Sequence, residues 1–278
     1  MTATIDGAVA TAWIERWDAQ QEIYMPDRED RFTALIDAVE EGVGRADPLV
    51  VDLGCGPGSL SVRLLARLPE AKVVAVDADP LLLGLGRAAR PGEGSRGSSP
   101  SGQHGRAGVS ESGPRFVEAD LGRPGWSRAL GLDRPVDAAV STTALHWLAP
   151  ARLAAMYAEL ATIIRPGGLL LNGDHLAEDE STAPVLARLG WALIEREEAR
   201  RRSGDRPEDW SAWWAAAIAD PVLADLVAER ASKQIVSDHH GSPSGLLTTH
   251  VDALRAAGFT EVGTLWQRGE NRLLCAVR

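Results

Sequence analysis

The sequence predicts an α/β protein in which short buried strands alternate with helices. Three observations carry that expectation. Apolar runs of strand length recur at residues 49–51, 72–76, 115–117, 136–141 and 169–171. Between most of them lie stripes of apolar residues at helical spacing, such as Leu153, Met156, Tyr157, Leu160, Ile163 and Ile164. Apolar residues make up 45% of the 278, enough for a sizeable core.

The chain opens with helical patterns. Trp13 and Trp17 lie one turn apart, on a helix that packs on the core or forms a lid over a site. Tyr24, which follows them, is the residue of this segment placed to meet a ligand. Phe32, Leu35, Ile36 and Val39 form a second stripe, stopped by Gly42 and Gly44. The first strand then runs into Asp52-Leu53-Gly54-Cys55-Gly56-Pro57-Gly58, and a helical run begins at Ser59. A buried strand, a glycine turn and a helix start bring backbone N–H groups toward a ligand, and glycines remove the Cβ atoms that would hold it away. The second strand ends in Asp77, where an acid grips a ribose in dinucleotide sites. Asp79-Pro80 starts the next helix as cap and first residue.

The stretch acid-x-Gly-x-Gly-x-Gly resembles the first motif of the class I S-adenosylmethionine-dependent methyltransferases, and residues 52–58 match it at every position. The fourth strand, running into Leu145-His146-Trp147-Leu148, looks like the small-molecule branch that includes the trans-aconitate methyltransferases. Arg165-Pro166-Gly167-Gly168 before the fifth strand is a further hallmark, with a helix-ending role. The resemblance covers roughly residues 48–174 and 248–278. It implies a Rossmann-like seven-stranded sheet with helices on both faces and a reversed last strand. It also implies S-adenosylmethionine as cofactor and S-adenosylhomocysteine as product. Asp52, Gly54, Cys55, Gly56 and Gly58 would lie along the methionine part. Asp77 and Ala78 would meet the ribose side, Asp120 and Leu121 the adenine, and Ser141 the neighbourhood of the methyl group. His146 is placed by topology at the reaction centre as a base or substrate contact. Tyr24, Trp147, His175, His239 and His240 are the further substrate candidates.

Residues 91–114 break the rhythm: 16 of 24 are Gly, Ser or Pro, the composition of a disordered loop, and His104 falls within it. Residues 175–247 carry helical stripes instead of strands, including Trp191, Trp210, Trp213 and Trp214. An insertion after the fifth strand forms a helical cap above the cofactor, whose tryptophans fill the cap's own core or wall the site. A cluster of arginines at 196, 200, 201, 202 and 206 is threaded with glutamates, as on a solvated face. The expected organisation is a lid over 1–47, a core over 48–174, a cap over 175–247, and a closing helix and hairpin over 248–278.

A net charge of −10 argues against a nucleic-acid partner. Two cysteines, Cys55 and Cys275, offer no metal or disulfide spacing, and Asp174, His175, His239 and His240 are poor grounds for a metal. No apolar run is long enough to span a membrane, and no secretory leader is evident. The expectation is a cytoplasmic monomer or homodimer that methylates a small molecule at a hydroxyl or carboxylate oxygen. Three other readings stay open: an enzyme using the same cofactor for cyclisation, decarboxylation or cofactor conversion, a nicotinamide dehydrogenase, and a non-catalytic binding protein.

Overall fold

The computed structural model describes residues 5–25, 27–90, 113–201, 208–234 and 244–278. Two helices, α1 (Gly7–Tyr24) and α2 (Arg28–Val43), precede the first βα unit, β1 (Leu49–Leu53) and α3 (Ser59–Arg67). Then follow β2 (Lys72–Asp77), α4 (Pro80–Ala89), β3 (Arg115–Glu118), β4 (Val136–Thr142), α5 (Pro150–Ile163) and β5 (Ile164–His175). Three helices come next: α6 (Pro184–Arg201), α7 (Trp210–Ala219) and α8 (Ala224–Ser232). The chain closes with α9 (Leu247–Ala256), β6 (Glu261–Arg268) and β7 (Asn271–Val277).

The seven strands form one sheet in the order β3-β2-β1-β4-β5-β7-β6, parallel except that β7 runs against both of its neighbours. This is the seven-stranded Rossmann-like sheet with a reversed last strand that the sequence motifs imply. All five residues of β1 are buried, which explains its continuous apolar pattern. Its side chains alternate between two cores. Leu49, Val51 and Leu53 join α5 and α9 residues such as Tyr157, Leu160 and Leu254, while Val50 joins Phe32, Leu35 and Leu64 of α2 and α3. The strand order reverses between β1 and β4, and the crevice beyond their carboxyl ends is where this topology places a ligand.

Arg165-Pro166-Gly167-Gly168 differs from the expected turn. The strand already begins at Ile164, pairs with Val136, and takes up pairing again in a shifted register at Leu169 opposite Ala138. The two glycines form an irregularity inside β5, where a Cβ on Gly168 would lie 2.9 Å from the Asp137 carbonyl oxygen.

The helices of residues 175–247 do not make one body. The helices α7 and α8 share an apolar cluster with α1 and α4, built on Trp13, Trp17, Leu81, Leu85, Trp213 and Trp214. Trp213 meets Trp13, Trp17 and Trp214 edge-on at centroid distances of 4.9–5.5 Å. The helix α6 lies instead beside the turn between β6 and β7, with Gly190 against Glu270. Trp191 of α6 is exposed, so the four tryptophans do not fill a common core. The loop expected over 91–114 lies outside the described residues except for Gly113 and Pro114, as does His104. Among the described residues no single helix is long and apolar enough to cross a membrane.

Candidate active site

A cavity of ≈ 640 Å³ opens at the carboxyl ends of β1, β2 and β4, between the sheet and the helices α1, α7 and α8. One half is built from backbone. Gly54, Gly56 and Gly58 all have positive φ (68°, 55° and 88°), which L side chains rarely adopt. Gly54 is also closed in by its surroundings, because a Cβ there would lie 2.3 Å from the Ala144 Cβ. The turn uses its own N–H groups internally. Gly54 and Cys55 donate to the Val76 carbonyl, Gly56 donates to Asp77 Oδ2 at 2.8 Å, and Gly58 donates to the Cys55 carbonyl. The sequence led us to expect these N–H groups to face a ligand. In the structure Gly54 and Gly56 line the cavity, while the N–H groups of Gly54, Cys55 and Gly56 fasten the turn to β2 and that of Gly58 closes the turn on Cys55.

Asp77 thus has two tasks. It lines the cavity and accepts hydrogen bonds from Gly56 and Asp79 N–H groups. Burial pushes its carboxyl up to about 6, against the pull of these bonds. Asp79 caps α4 through the Leu81 and Leu82 N–H groups, as its sequence context predicts, and pairs with Arg230 of α8 at 2.6 Å. Ala78, Asp120 and Leu121 also line the cavity. Asp120 accepts from the Gly122 N–H and meets Arg123 at 3.1 Å, so it both shapes its own turn and borders the site.

Cys55 lines the cavity with a thiol that burial, then the charges of Asp77 and Asp52, hold protonated. Three residues expected at the cofactor do not line the cavity. Asp52 is fully buried under the turn, bonded to the Ser61 hydroxyl at 2.6 Å and pushed by burial to about 7. Ser141 is buried and donates to the Leu53 carbonyl, and Gly58 packs against the Phe116 ring. These three shape the cradle from behind.

The other half is built from side chains. His146 follows β4 on a short 3-10 turn, and its Nδ1 lies 2.6 Å from Asp174 Oδ1 at the end of β5. Asp174 is fully buried and also accepts from the His146 and His175 N–H groups. Burial pushes its carboxyl up, but His146, His250 and Arg31 outweigh burial and hold it below the usual carboxylate range. An ionised Asp174 fixes the proton of the neutral imidazole on Nδ1, which leaves Nε2 as the acceptor nitrogen. This pair was not legible as a pair: residues 146 and 174 meet only because β4 and β5 are adjacent parallel strands.

Tyr24, Trp147 and His175 line the same cavity. His175 Nε2 donates to the Tyr24 carbonyl oxygen at 3.2 Å, which places the ring proton on Nε2, and burial lowers the ring's basicity. The Tyr24 hydroxyl accepts from the Trp210 N–H. His239 and His240 lie outside the described residues. Sequence reasoning missed Gln21, Arg28 and Arg230 as wall residues, whereas Trp17, Trp210 and Trp214 lie where its lid and wall alternatives put them. The three tryptophans pack in the cluster of α1, α4, α7 and α8 while bordering the cavity. Among the described residues no group of three His, Cys, Asp or Glu could hold a metal.

Residues 51–170 match a family model described as a methyltransferase domain, a span that contains the glycine turn, Asp77, Asp120 and His146. The chain carries a class I S-adenosylmethionine-dependent methyltransferase domain. Trans-aconitate 2-methyltransferase of Azoarcus sp. (strain BH72) is 30% identical to it over 184 residues, or 63% of this chain and 60% of that relative. The chain therefore spans less than two thirds of that relative's length. An O-methyltransferase family protein from Burkholderia thailandensis shares the fold with a TM-score of 0.55 at 17% identity, over 95% of this chain and 59% of that one. Magnesium protoporphyrin IX methyltransferase from Synechocystis PCC 6803, solved with S-adenosylhomocysteine bound, aligns with a TM-score of 0.50 at 19% identity, over 95% and 94% of the two chains. In this methyltransferase domain the glycine turn, Asp77 and Asp120 border one and the same cavity.

Proposed function

We propose that the protein transfers a methyl group from S-adenosylmethionine to an oxygen of a small molecule, at a hydroxyl or carboxylate. The observation that carries the reading is a single cavity with the glycine cradle at one end and the His146–Asp174 pair at the other. The cofactor, when bound, supplies an electrophilic methyl group on a sulfonium centre. Gly54, Gly56, Asp77 and Asp120 hold and orient it. His146 Nε2 accepts the proton of a substrate hydroxyl as the oxygen attacks, and Asp174 stabilises the imidazolium that results. Trp17, Trp147, Trp210 and Trp214 exclude water from the reacting centre. The lid over 1–47 and the cap over 175–247 remain the proposed source of substrate selectivity. The test is incubation with S-adenosylmethionine and a panel of hydroxy and carboxylic acids, with mass-spectrometric detection of S-adenosylhomocysteine and a product heavier by one methylene. Substrate-dependent formation of both supports the reading. Cofactor binding without conversion by any acceptor in the panel counts against it and favours a binding protein.

A further inference from the structure

Around His146 the cavity is walled by rings rather than by charges. Tyr24, Trp147 and Trp210 line it, Tyr24 45% exposed and both tryptophans half-buried. They come from the end of α1, the short turn after β4 and the start of α7. The Trp147 ring lies 4.2 Å from that of His146, and the Tyr24 carbonyl holds His175, the neighbour of Asp174. The Tyr24 hydroxyl meets the backbone N–H of Trp210, which brings the third ring to the same end. Trp17 and Trp214 extend this wall, with ring centroids 5.2 and 5.7 Å from that of Trp210.

The charges of the cavity are already matched. Among the described residues, Arg28 and Arg230 are the only Lys or Arg side chains that line it. Arg230 pairs with Asp79 at 2.6 Å and lies 4.2 Å over the Trp214 ring. Arg28 is 3.0 Å from Asp18, although its Nε and Nη1 make no hydrogen bond. Asp18 also accepts from the Ser59 hydroxyl, so this pair belongs to the glycine end. Arg31 does not line the cavity and is bonded to the Asn271 and Thr142 side-chain oxygens. Against these cations stand Asp77, Asp79 and Asp120 in the lining, Asp174 behind His146, and a net charge of −10 on the chain.

That balance separates the acceptors. A carboxylate beside His146 would leave water without a cation to meet it, one imidazole away from the ionised Asp174. It also arrives with its oxygen already ionised, which leaves the His146–Asp174 pair no proton to take. An aliphatic hydroxyl is too weak an acid for a neutral imidazole to help much. An aromatic hydroxyl ionises near about 10, as tyrosine does, and falls within the range of such a base.

Resting on the methyl-transfer reading above, we propose that the acceptor is an uncharged aromatic compound methylated at a ring hydroxyl, with Tyr24, Trp147 and Trp210 holding its ring. His146 Nε2 takes the hydroxyl proton as the oxygen–methyl bond forms. The carbon–sulfur bond breaks in the same step and leaves its electron pair on the thioether sulfur.

Matched acceptors test this on the wild-type protein: 4-ethylphenol and 2-naphthol, each beside the carboxylate of the same skeleton, 4-ethylbenzoate and 2-naphthoate, with tricarballylate as a ringless polyanion. Initial rates with S-adenosylmethionine at equal acceptor concentration are read by mass spectrometry. At least one phenol should be methylated, and every carboxylate should react more than about tenfold more slowly, the cost of an unpaired buried charge. A carboxylate converted at a tenth of the better phenol's rate or faster overturns the aromatic assignment and keeps methyl transfer. Calorimetric binding of S-adenosylhomocysteine without conversion of either phenol also overturns the aromatic assignment alone. No binding of S-adenosylhomocysteine overturns both readings. Trp147→Ala should raise the KM for the phenol about 5- to 50-fold, the loss of a stacking ring. An unchanged KM overturns the role given to the rings, and if that variant does not fold the wild-type rates decide.

Discussion

The two ends of the cavity are made in different ways. The proposed cofactor end is a continuous piece of chain, in which residues 52–59 supply strand end, turn and helix start and close against the neighbouring β2. The proposed acceptor end assembles His146, Asp174, Tyr24 and Trp210 from four separate segments. A backbone cradle tolerates almost no change in its own residues, because each positive φ and each close approach is a steric requirement. A side-chain site depends on single hydrogen bonds between distant elements, so it loses chemistry before it loses structure.

If that contrast is correct, the most damaging change is at the turn. Gly54→Val would force a β-branched residue to φ 68° with its Cβ 2.3 Å from Ala144. The expected cost is about 2–5 kcal/mol, from left-handed strain and overpacking together, with loss of measurable S-adenosylhomocysteine binding. Denaturant unfolding and calorimetry read both quantities. A stable variant with normal affinity would show that the turn is not a steric cradle.

At the acceptor end the expected loss is in rate. His146→Gln should slow turnover about 10²–10⁴-fold, with Asp174→Asn near the lower end of that range. Cofactor affinity should stay within about twofold, because the hydrogen bonds of the pair join β4 to β5 and none goes to the glycine turn. Full turnover in His146→Gln would mean that the acceptor oxygen arrives already ionised, as a carboxylate does.

Asp52 makes the smallest and most specific prediction. Burial raises its carboxyl to about 7, far above the value in an unfolded chain. The folded protein therefore holds a proton that the unfolded chain releases. The resulting stabilisation is fully present below the unfolded value and is lost as pH rises through about 7. Wild type should melt at a lower temperature at pH 8 than at pH 5, and Asp52→Asn should flatten that difference by roughly 2–4 °C. A melting curve unchanged in its pH dependence would show that Asp52 is ionised in the fold at both values.

How much of the molecule was legible in its sequence follows the same division. The strands were visible because a sheet covered on both faces needs unbroken apolar runs. The glycine turn and Asp79 cap were visible because local geometry selects residue type. The Asp52 and Ser141 positions were assigned to the cofactor from the motif, and the structure shows that they support the turn from beneath. The tryptophans divide in a way that periodicity could not reveal. Trp213 is fully buried, Trp191 is exposed, and Trp210 and Trp214 pack while bordering the cavity.

From sequence alone came the α/β class, the strand and helix order, the glycine cradle and the acid at the end of β2. Each depends on residues near one another in the chain, where spacing is itself geometry. Only the tertiary structure decided that Asp174 serves His146, that α7 and α8 pack with α1, and that Arg28 reaches the cavity short of hydrogen-bond partners. Those contacts join segments separated by 28 to about 200 residues. Strand order and helix docking bring them together, and neither leaves a local pattern.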